Sequence, residues 1–157
     1  MSIRKYLTIL TVATLLSFNA YAASDIEVDN AWVRTAPPTA KVLAAYMEIT
    51  NHDNQAQTLI GANSPQFKAV EIHQTQMHEG MMHMKAIDSI IFDSHETVSF
   101  EPGGYHFMLI KPKDMVHKGD KIKIELNFKD GSKVVVHASV KDANDDTAHS
   151  KSHKHHH

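Results

Sequence analysis

The fold class is indicated most clearly by the stretch from Lys121 to Lys141, which reads KIKIELNFKDGSKVVVHASVK. Its first half alternates strictly between polar and apolar residues, and the apolar ones are Ile122, Ile124, Leu126 and Phe128. Such alternation is typical of a β-strand with one buried face. Asp130-Gly131 interrupts the pattern before a second apolar run, and an Asp-Gly step between two such runs is a strong hairpin signal. We therefore predict an antiparallel hairpin.

The rest of the chain contains further short runs of this kind, separated by turn residues. They are Ile26–Arg34, Val42–Thr50, the start of a strand at Gln57–Gly61, Val70–Gln76, Met81–Ile87 and Tyr105–Ile110. No comparable stretch keeps a helical period over three turns, so the sequence predicts an all-β sandwich or barrel. The large aromatic residues predicted to fill its core are Trp32, Phe67, Phe92 and Phe100.

The first residues have the pattern of a secretion signal. Arg4 and Lys5 precede an uncharged, largely apolar run from Tyr6 to Phe18, and Ala20-Tyr21-Ala22 follows. A membrane-spanning helix needs about 20 mainly apolar residues, which is more than this run supplies. We interpret residues 1–22 as a cleavable signal peptide and expect an exported protein. Because the chain has no cysteine, we expect neither a lipid-anchored form nor disulfide bonds.

The remaining residues divide into one domain and a tail. Residues 23–143 are predicted to form a single β-domain, and residues 144–157, rich in His and Asp with nothing apolar to bury, a disordered tail. The net charge of −2 comes from interspersed acids and lysines without a basic stripe, so nucleic acid is not expected as a partner. No second apolar segment predicts membrane embedding.

Methionine is the residue whose distribution points to chemistry. Six of the 8 methionines fall between Met77 and Met115, and residues 73–84 read HQTQMHEGMMHM. Any one of these residues taken alone is more simply a core filler or a surface histidine. So many thioethers beside a Gly turn are unusual, however, because a flexible filler specifies a core poorly.

This mixture of ligands favours copper. Thioether sulfur is a soft ligand that selects Cu(I), whereas imidazole accepts Zn, Cu, Ni and Fe alike. No spaced run of acids predicts the oxygen cage that calcium or magnesium requires. Blue-copper electron transfer needs a Cys thiolate, which this chain lacks. No activated nucleophile or readable carboxylate pair is present, so we predict a protein that is not an enzyme.

Strand geometry selects four ligands from the cluster. If the turn centres between His78 and Glu79, His73 and Met84 lie directly opposite one another and can reach one ion. In the later strand, His106 and Met108 are two residues apart and therefore share a face, while Phe107 points to the core. The sequence therefore predicts a site with two imidazoles and two thioethers.

These residues resemble the signature of the periplasmic PCuAC copper chaperones, which is a His, ten residues, a Met, twenty-one residues and then His-x-Met. His73, Met84, His106 and Met108 match that spacing without adjustment. The stretches Ala31–Asn51 and Val70–Lys85 are similar to the family as well. The resemblance implies a cupredoxin-like Greek-key β-barrel, a Cu(I) site, a periplasmic location, and delivery of copper toward the CuA centre of cytochrome c oxidase, often with a Sco-type thiol protein.

Other His and Met residues are candidate auxiliary metal ligands. Those near the predicted site are Met77, Met81, Met82 and His83; those in the tail, which could take Cu(II), are His153, His155, His156 and His157. The histidines that occur singly are predicted to be exposed or hydrogen-bonded, without a metal role; they are His52, His95, His117 and His137. An alternative function is sequestration of copper or zinc without a delivery partner, since storage and delivery need the same site.

Overall fold

The computed structural model describes residues 25–143, which fold into ten β-strands without a helix. The strands are β1 (Ile26–Arg34), β2 (Val42–Asn51), β3 (Gln57–Asn63), β4 (Phe67–His78), β5 (Met81–Ile87), β6 (Ile90–Phe92), β7 (Thr97–Phe100), β8 (Tyr105–Pro112), β9 (Lys121–Phe128) and β10 (Lys133–Lys141). The all-β prediction is confirmed. The predicted signal peptide lies outside the described residues, and so does the predicted tail.

Eight of these strands close a barrel. The order β4-β8-β7-β2-β1-β10-β9-β3 returns to its start through the pairing of β3 with β4. The remaining two strands lie outside this ring: β5 pairs with the second half of β4, and β6 with the first half of β3. Closure leaves few free edges in the ring itself. β5 forms one edge of the sheet, and it carries part of the candidate site.

The hairpin predicted from Lys121–Lys141 is present in the predicted place. Strands β9 and β10 pair in antiparallel register, with Lys133 opposite Asn127 and Ser139 opposite Lys121. The turn contains Gly131 at φ 90, a left-handed conformation that glycine adopts without a Cβ clash. The alternate residues of β9 are buried in the core, as the sequence pattern required.

The barrel is filled by the inward-facing side chains of its strands. The largest fully buried side chains include Phe92, Phe107, Phe128, Met47 and Leu109. Phe100 stacks on Phe107 with the ring centres 4.6 Å apart, which joins β7 to β8 in the core. Phe67, Phe92 and Phe100 are in the core as predicted.

Trp32 was predicted to lie in the core, and this prediction is wrong. It is only partly buried, and its ring lies 4.7 Å from that of Tyr46 and 5.3 Å from the Lys141 ammonium. The reason is a register shift between Asp29 and Trp32 in the pairing of β1 with β2, where Asn30 adopts a positive φ of 52. This irregularity turns the indole to the outer face of the barrel.

Candidate metal centre

Two histidines face each other across the neighbouring strands β4 and β8. His73 is directly opposite His106 in the antiparallel register, so both side chains point to the outer face of the barrel. Their ring centres are 5.8 Å apart. A metal ion lies about 2 Å from a ligating nitrogen and therefore about 3 Å from the ring centre, so two rings that share an ion are separated by up to about 6 Å. The observed separation suits one shared ion.

His106 is held in a fixed orientation although it lies on the outer face. It is only 4% exposed, and the Tyr46 ring lies 6.4 Å away on one side. Its Nδ1 is 3.2 Å from the carbonyl oxygen of Gly104, which can only accept a hydrogen bond. The imidazole Nδ1–H therefore donates, and in the neutral ring the lone pair is left on Nε2 for a metal.

The surroundings of His106 also favour its neutral form. Burial lowers the pKa of this imidazole below its usual value, and the neighbouring His73 acts in the same direction. The hydrogen bond to Gly104 opposes this shift without cancelling it. A histidine must be neutral to ligate a metal, so this shift favours the form of His106 that could hold an ion.

His73 has an unpaired nitrogen. Its Nε2 is 2.9 Å from the carboxylate of Glu71, while its Nδ1 is buried and has no hydrogen-bond partner among the described residues. Buried polar atoms are nearly always paired, so an orphan needs an explanation. If Nε2–H donates to Glu71, the lone pair is on Nδ1, and carboxylate-His pairs of this kind hold and orient metal-ligating imidazoles.

Met108 lies where the sequence prediction requires it. It follows His106 by two residues in β8 and shares its face, opposite Glu71 on β4 and Ala44 on β2. Phe107 lies between His106 and Met108, and Leu109 follows them; both are fully buried on the core side. The prediction that His106 and Met108 share one face of β8, opposite the buried face of Phe107 and Leu109, is therefore confirmed.

The predicted register of the β4–β5 hairpin is wrong by two positions. His73 lies opposite Ala86, and Met84 lies opposite Thr75. The turn centres on Glu79 and Gly80, which both have positive φ, 51 and 78, as a two-residue type I′ turn requires. The prediction placed the turn one residue too early.

Met84 nevertheless remains on the face of His73. Because side chains alternate with a period of two, a shift of two positions in register preserves the face. Met84 becomes a diagonal neighbour of His73, a distance that a long side chain can span. It is 57% exposed, so its thioether is free to move toward or away from the imidazoles.

The hairpin separates the auxiliary candidates into two groups. Met77 and Met82 pair directly and share the face of Met84. Met81 and His83 lie on the opposite face, together with His78. All five side chains are exposed. The tail candidates, His153, His155, His156 and His157, lie outside the described residues.

Two residues of the site were not singled out from the sequence. Glu71 orients His73, and Tyr46 covers His106. The position of Glu71 two residues before His73 was a readable signal, because residues i and i+2 of a strand share a face. Tyr46 reaches the site only through the pairing of β2 with β8, which the sequence does not specify.

The other isolated histidines are exposed, as predicted. His52 contacts Glu27 at 2.6 Å and His95 contacts Asn54 at 3.2 Å; His117 and His137 are also at the surface. Within residues 25–143, no three His, Asp or Glu side chains converge on a point where they could hold a metal. No helix in this part of the chain is long and apolar enough to span a membrane.

Comparison with known proteins gives both a sequence family and a structural match. Residues 26–140 match the family described as "Putative lipoprotein LpqE-like". A curated relative, "Putative lipoprotein Lxx21020" of Leifsonia xyli subsp. xyli (strain CTCB07), is 31% identical over 121 residues, which cover 76% of this chain and 72% of the relative.

Three solved structures share the fold. The apo form of DR1885 from Deinococcus radiodurans is 27% identical, with a TM-score of 0.60 over 90% of this chain and 95% of its own. Its CuI form is 28% identical, with a TM-score of 0.59 over 82% and 84%. The copper-bound PCuAC domain of PmoF2 is 24% identical, with a TM-score of 0.64 over 78% and 97%. These matches confirm the resemblance to PCuAC domains and the cupredoxin-like fold.

Proposed function

The chain belongs to the LpqE-like family and has the fold of PCuAC domains, and from this premise we propose that it is a copper carrier that binds one Cu(I) ion through His73, Met84, His106 and Met108. The observation that carries the proposal is the facing pair His73 and His106, in which one buried imidazole nitrogen has no partner. The solved CuI form of DR1885 supports copper as the cargo.

The chemistry of the donors explains why Cu(I) is favoured over other ions. Two neutral imidazoles and two neutral thioethers provide no negative charge to balance a divalent ion, and thioether sulfur prefers soft Cu(I). Glu71 contributes a carboxylate only through its hydrogen bond to His73. The ion would thus be held in a site that stabilises the reduced state, which suits transport rather than redox turnover.

The unequal burial of the four ligands gives a mechanism for release. His106 is nearly covered and His73 largely so, whereas Met84 is exposed on an edge strand. A thiolate of an acceptor protein can approach from the β5 side and enter the copper coordination as the Met84 sulfur leaves. The two imidazoles retain the ion until the acceptor holds it, so copper passes by ligand exchange.

The acceptor and the compartment are further parts of the proposal. We infer export to the periplasm from the N-terminal signal pattern together with the lipoprotein description of the family. Delivery would be toward the CuA site of cytochrome c oxidase, directly or through a Sco-type thiol protein. No enzymatic activity is proposed.

An anaerobic Cu(I) titration against a colorimetric chelator tests the proposal. The parent chain should hold one tight equivalent that Met84→Leu with Met108→Leu abolishes, because leucine keeps a similar volume without the sulfur. Met115→Leu, in the exposed loop after β8, is the matched control and should bind as the parent does. Equal affinity in the parent and the double variant would contradict the ligand assignment.

Sequestration without delivery is the alternative function, since it uses the same site. Rapid transfer of the ion to a reduced thiol protein, at a rate that rises with acceptor concentration, would support delivery. Release limited by spontaneous dissociation, and independent of the acceptor, would support sequestration.

A further inference from the structure

The tip of the β4–β5 hairpin carries a second group of metal-binding side chains. His78, Met81 and His83 point away from the face that carries His73 and Met84. Side chains alternate along a strand, and His78 is an odd number of positions from His73 on β4, as Met81 and His83 are from Met84 on β5. The backbone of the hairpin lies between His73 and Met84 on one face and these three side chains on the other. They therefore form a separate cluster, and the proposed carrier site does not use it.

The two imidazoles of this cluster are close enough to share an ion. His78 is opposite Met81, and His83 is opposite Gln76, so the histidines are diagonal neighbours. Their ring centres are 6.1 Å apart. Two rings on one ion are separated by up to about 6 Å, so a nearly linear arrangement of the two nitrogens about a metal fits with little movement.

Met81 provides a third donor. It is directly opposite His78, which places the two Cβ atoms about 5 Å apart on one side of the hairpin. It is exposed, so its long side chain is not needed in the core and can turn toward the imidazoles. The type I′ turn at Glu79 and Gly80 holds this pair next to the loop and fixes its register.

The donor atoms of the cluster favour Cu(I). Lys85 follows His83 by two residues and shares its face, together with the neutral residues Gln74 and Gln76. Glu79, in the turn, is the nearest acid along the chain. Lys85 and Glu79 have opposite charges, so they do not select between a monovalent and a divalent ion, and the selectivity rests on the donor atoms. Two imidazoles and a thioether, without a thiolate, match Cu(I), which accepts two or three ligands.

We propose that His78, Met81 and His83 form a second, more weakly binding Cu(I) site at the hairpin tip. The site stands on its own geometry and holds whether or not the carrier site binds copper as proposed. Its position at the most exposed end of the hairpin suits capture of copper before the ion reaches the buried imidazoles.

The test uses the full chain, with the five tail histidines changed to Gln in every variant so that the tail cannot contribute. The tail residues are His149, His153, His155, His156 and His157. Cu(I) is titrated anaerobically, and the methyl resonance of Met81 and the imidazole resonances of His78 and His83 are followed by NMR. The reference chain should bind two equivalents, and these resonances should shift with the weaker one.

Two double variants separate the sites. His78→Gln with His83→Gln should remove the weaker equivalent alone, while Met84→Leu with Met108→Leu should remove the tighter one and leave the shifts at Met81. His117→Gln with His137→Gln, two exposed histidines elsewhere, is the matched control and should bind two equivalents. The proposal is overturned if the hairpin variant binds as much copper as the reference chain, if Met81 does not respond, or if these residues respond to Zn(II) and not to Cu(I).

Discussion

His73 and His106 lie directly opposite one another on β4 and β8, and their ring centres are 5.8 Å apart. Each ring has one nitrogen engaged by a protein oxygen, from Glu71 in one case and Gly104 in the other. The second nitrogen of each is therefore left for a ligand outside the protein. In the proposed copper site, binding would therefore depend on the orientation of the two imidazoles.

Glu71 should strengthen copper binding without touching the ion. Changing Glu71 to Gln replaces the carboxylate that holds His73, and loss of such a supporting partner lowers metal affinity by roughly 10–100-fold. The affinity is measured by chelator competition, and the tautomer of His73 by nitrogen NMR, which should become mixed in the variant. Glu27→Gln is the control, because Glu27 contacts His52 in the same way away from the site. Equal losses in both variants would contradict a specific role.

The stability of the copper-free protein should fall in mild acid. Burial lowers the pKa of His106 in the folded state, so the unfolded chain binds its proton more readily, and stability rises with pH through this range. The contribution is complete above the unfolded pKa of about 6.5 and is lost as the pH falls toward the lower folded value. Urea denaturation across this range measures the slope, which His106→Gln should reduce. An unchanged slope in that variant would rule out His106 as its source.

Gly80 should be needed for the register of the hairpin. Gly80→Ala adds a Cβ that meets no atom within 4 Å, but its φ of 78 is unfavourable for alanine by about 1–2 kcal/mol. The variant should weaken copper binding, because Met84 depends on this turn for its position. Gly131→Ala, with φ 90 in the β9–β10 turn, is the matched control. It should lose similar stability in thermal unfolding and keep its copper affinity; parallel losses of affinity would show a general effect.

Asn51 should be important for stability and not for copper. Its buried amide donates to the carbonyl oxygens of Gln55, Phe92 and Asp93, and its Oδ1 accepts from the backbone amide of Asp53. Asn51→Leu leaves these buried groups unpaired, at a cost of about 1–3 kcal/mol for each one that water cannot reach. Urea denaturation should show the loss, while Asn54→Ala, at the surface, should change little. If Asn51→Leu left the free energy of unfolding unchanged, the hydrogen bonds of Asn51 would not be what stabilises this loop.

The sequence predicted most of the fold because its strongest patterns are local. The bounds of β1, β5, β9 and β10 agree with the predicted strands, since each is a short run of residues bounded by turn signals. Strands β6 and β7 were not predicted. They have three and four residues, too few for alternation to stand out, and they form because β3 and β2 offer them a pairing edge.

The sequence predicted which candidate ligands share a face of the sheet. It did not predict which of their side chains contact one another. The two-residue spacing of His106 and Met108 fixed their common face. The facing of His73 and His106 depends on which strands become neighbours, and the sequence pattern does not state it. The register of the hairpin depended on recognising that Glu79, a residue with a side chain, adopts a positive φ.

The ligand assignment is best tested by X-ray absorption at the copper edge. The parent chain for this test carries His78→Gln, Met81→Leu and His83→Gln, which remove the hairpin-tip donors, and is loaded anaerobically with a single equivalent of Cu(I). We expect a mixed coordination shell of nitrogen and sulfur, in which Met84→Leu with Met108→Leu removes the sulfur contribution and His73→Gln reduces the nitrogen contribution. A parent spectrum without sulfur, or a sulfur contribution that survives the loss of both methionines, would contradict it.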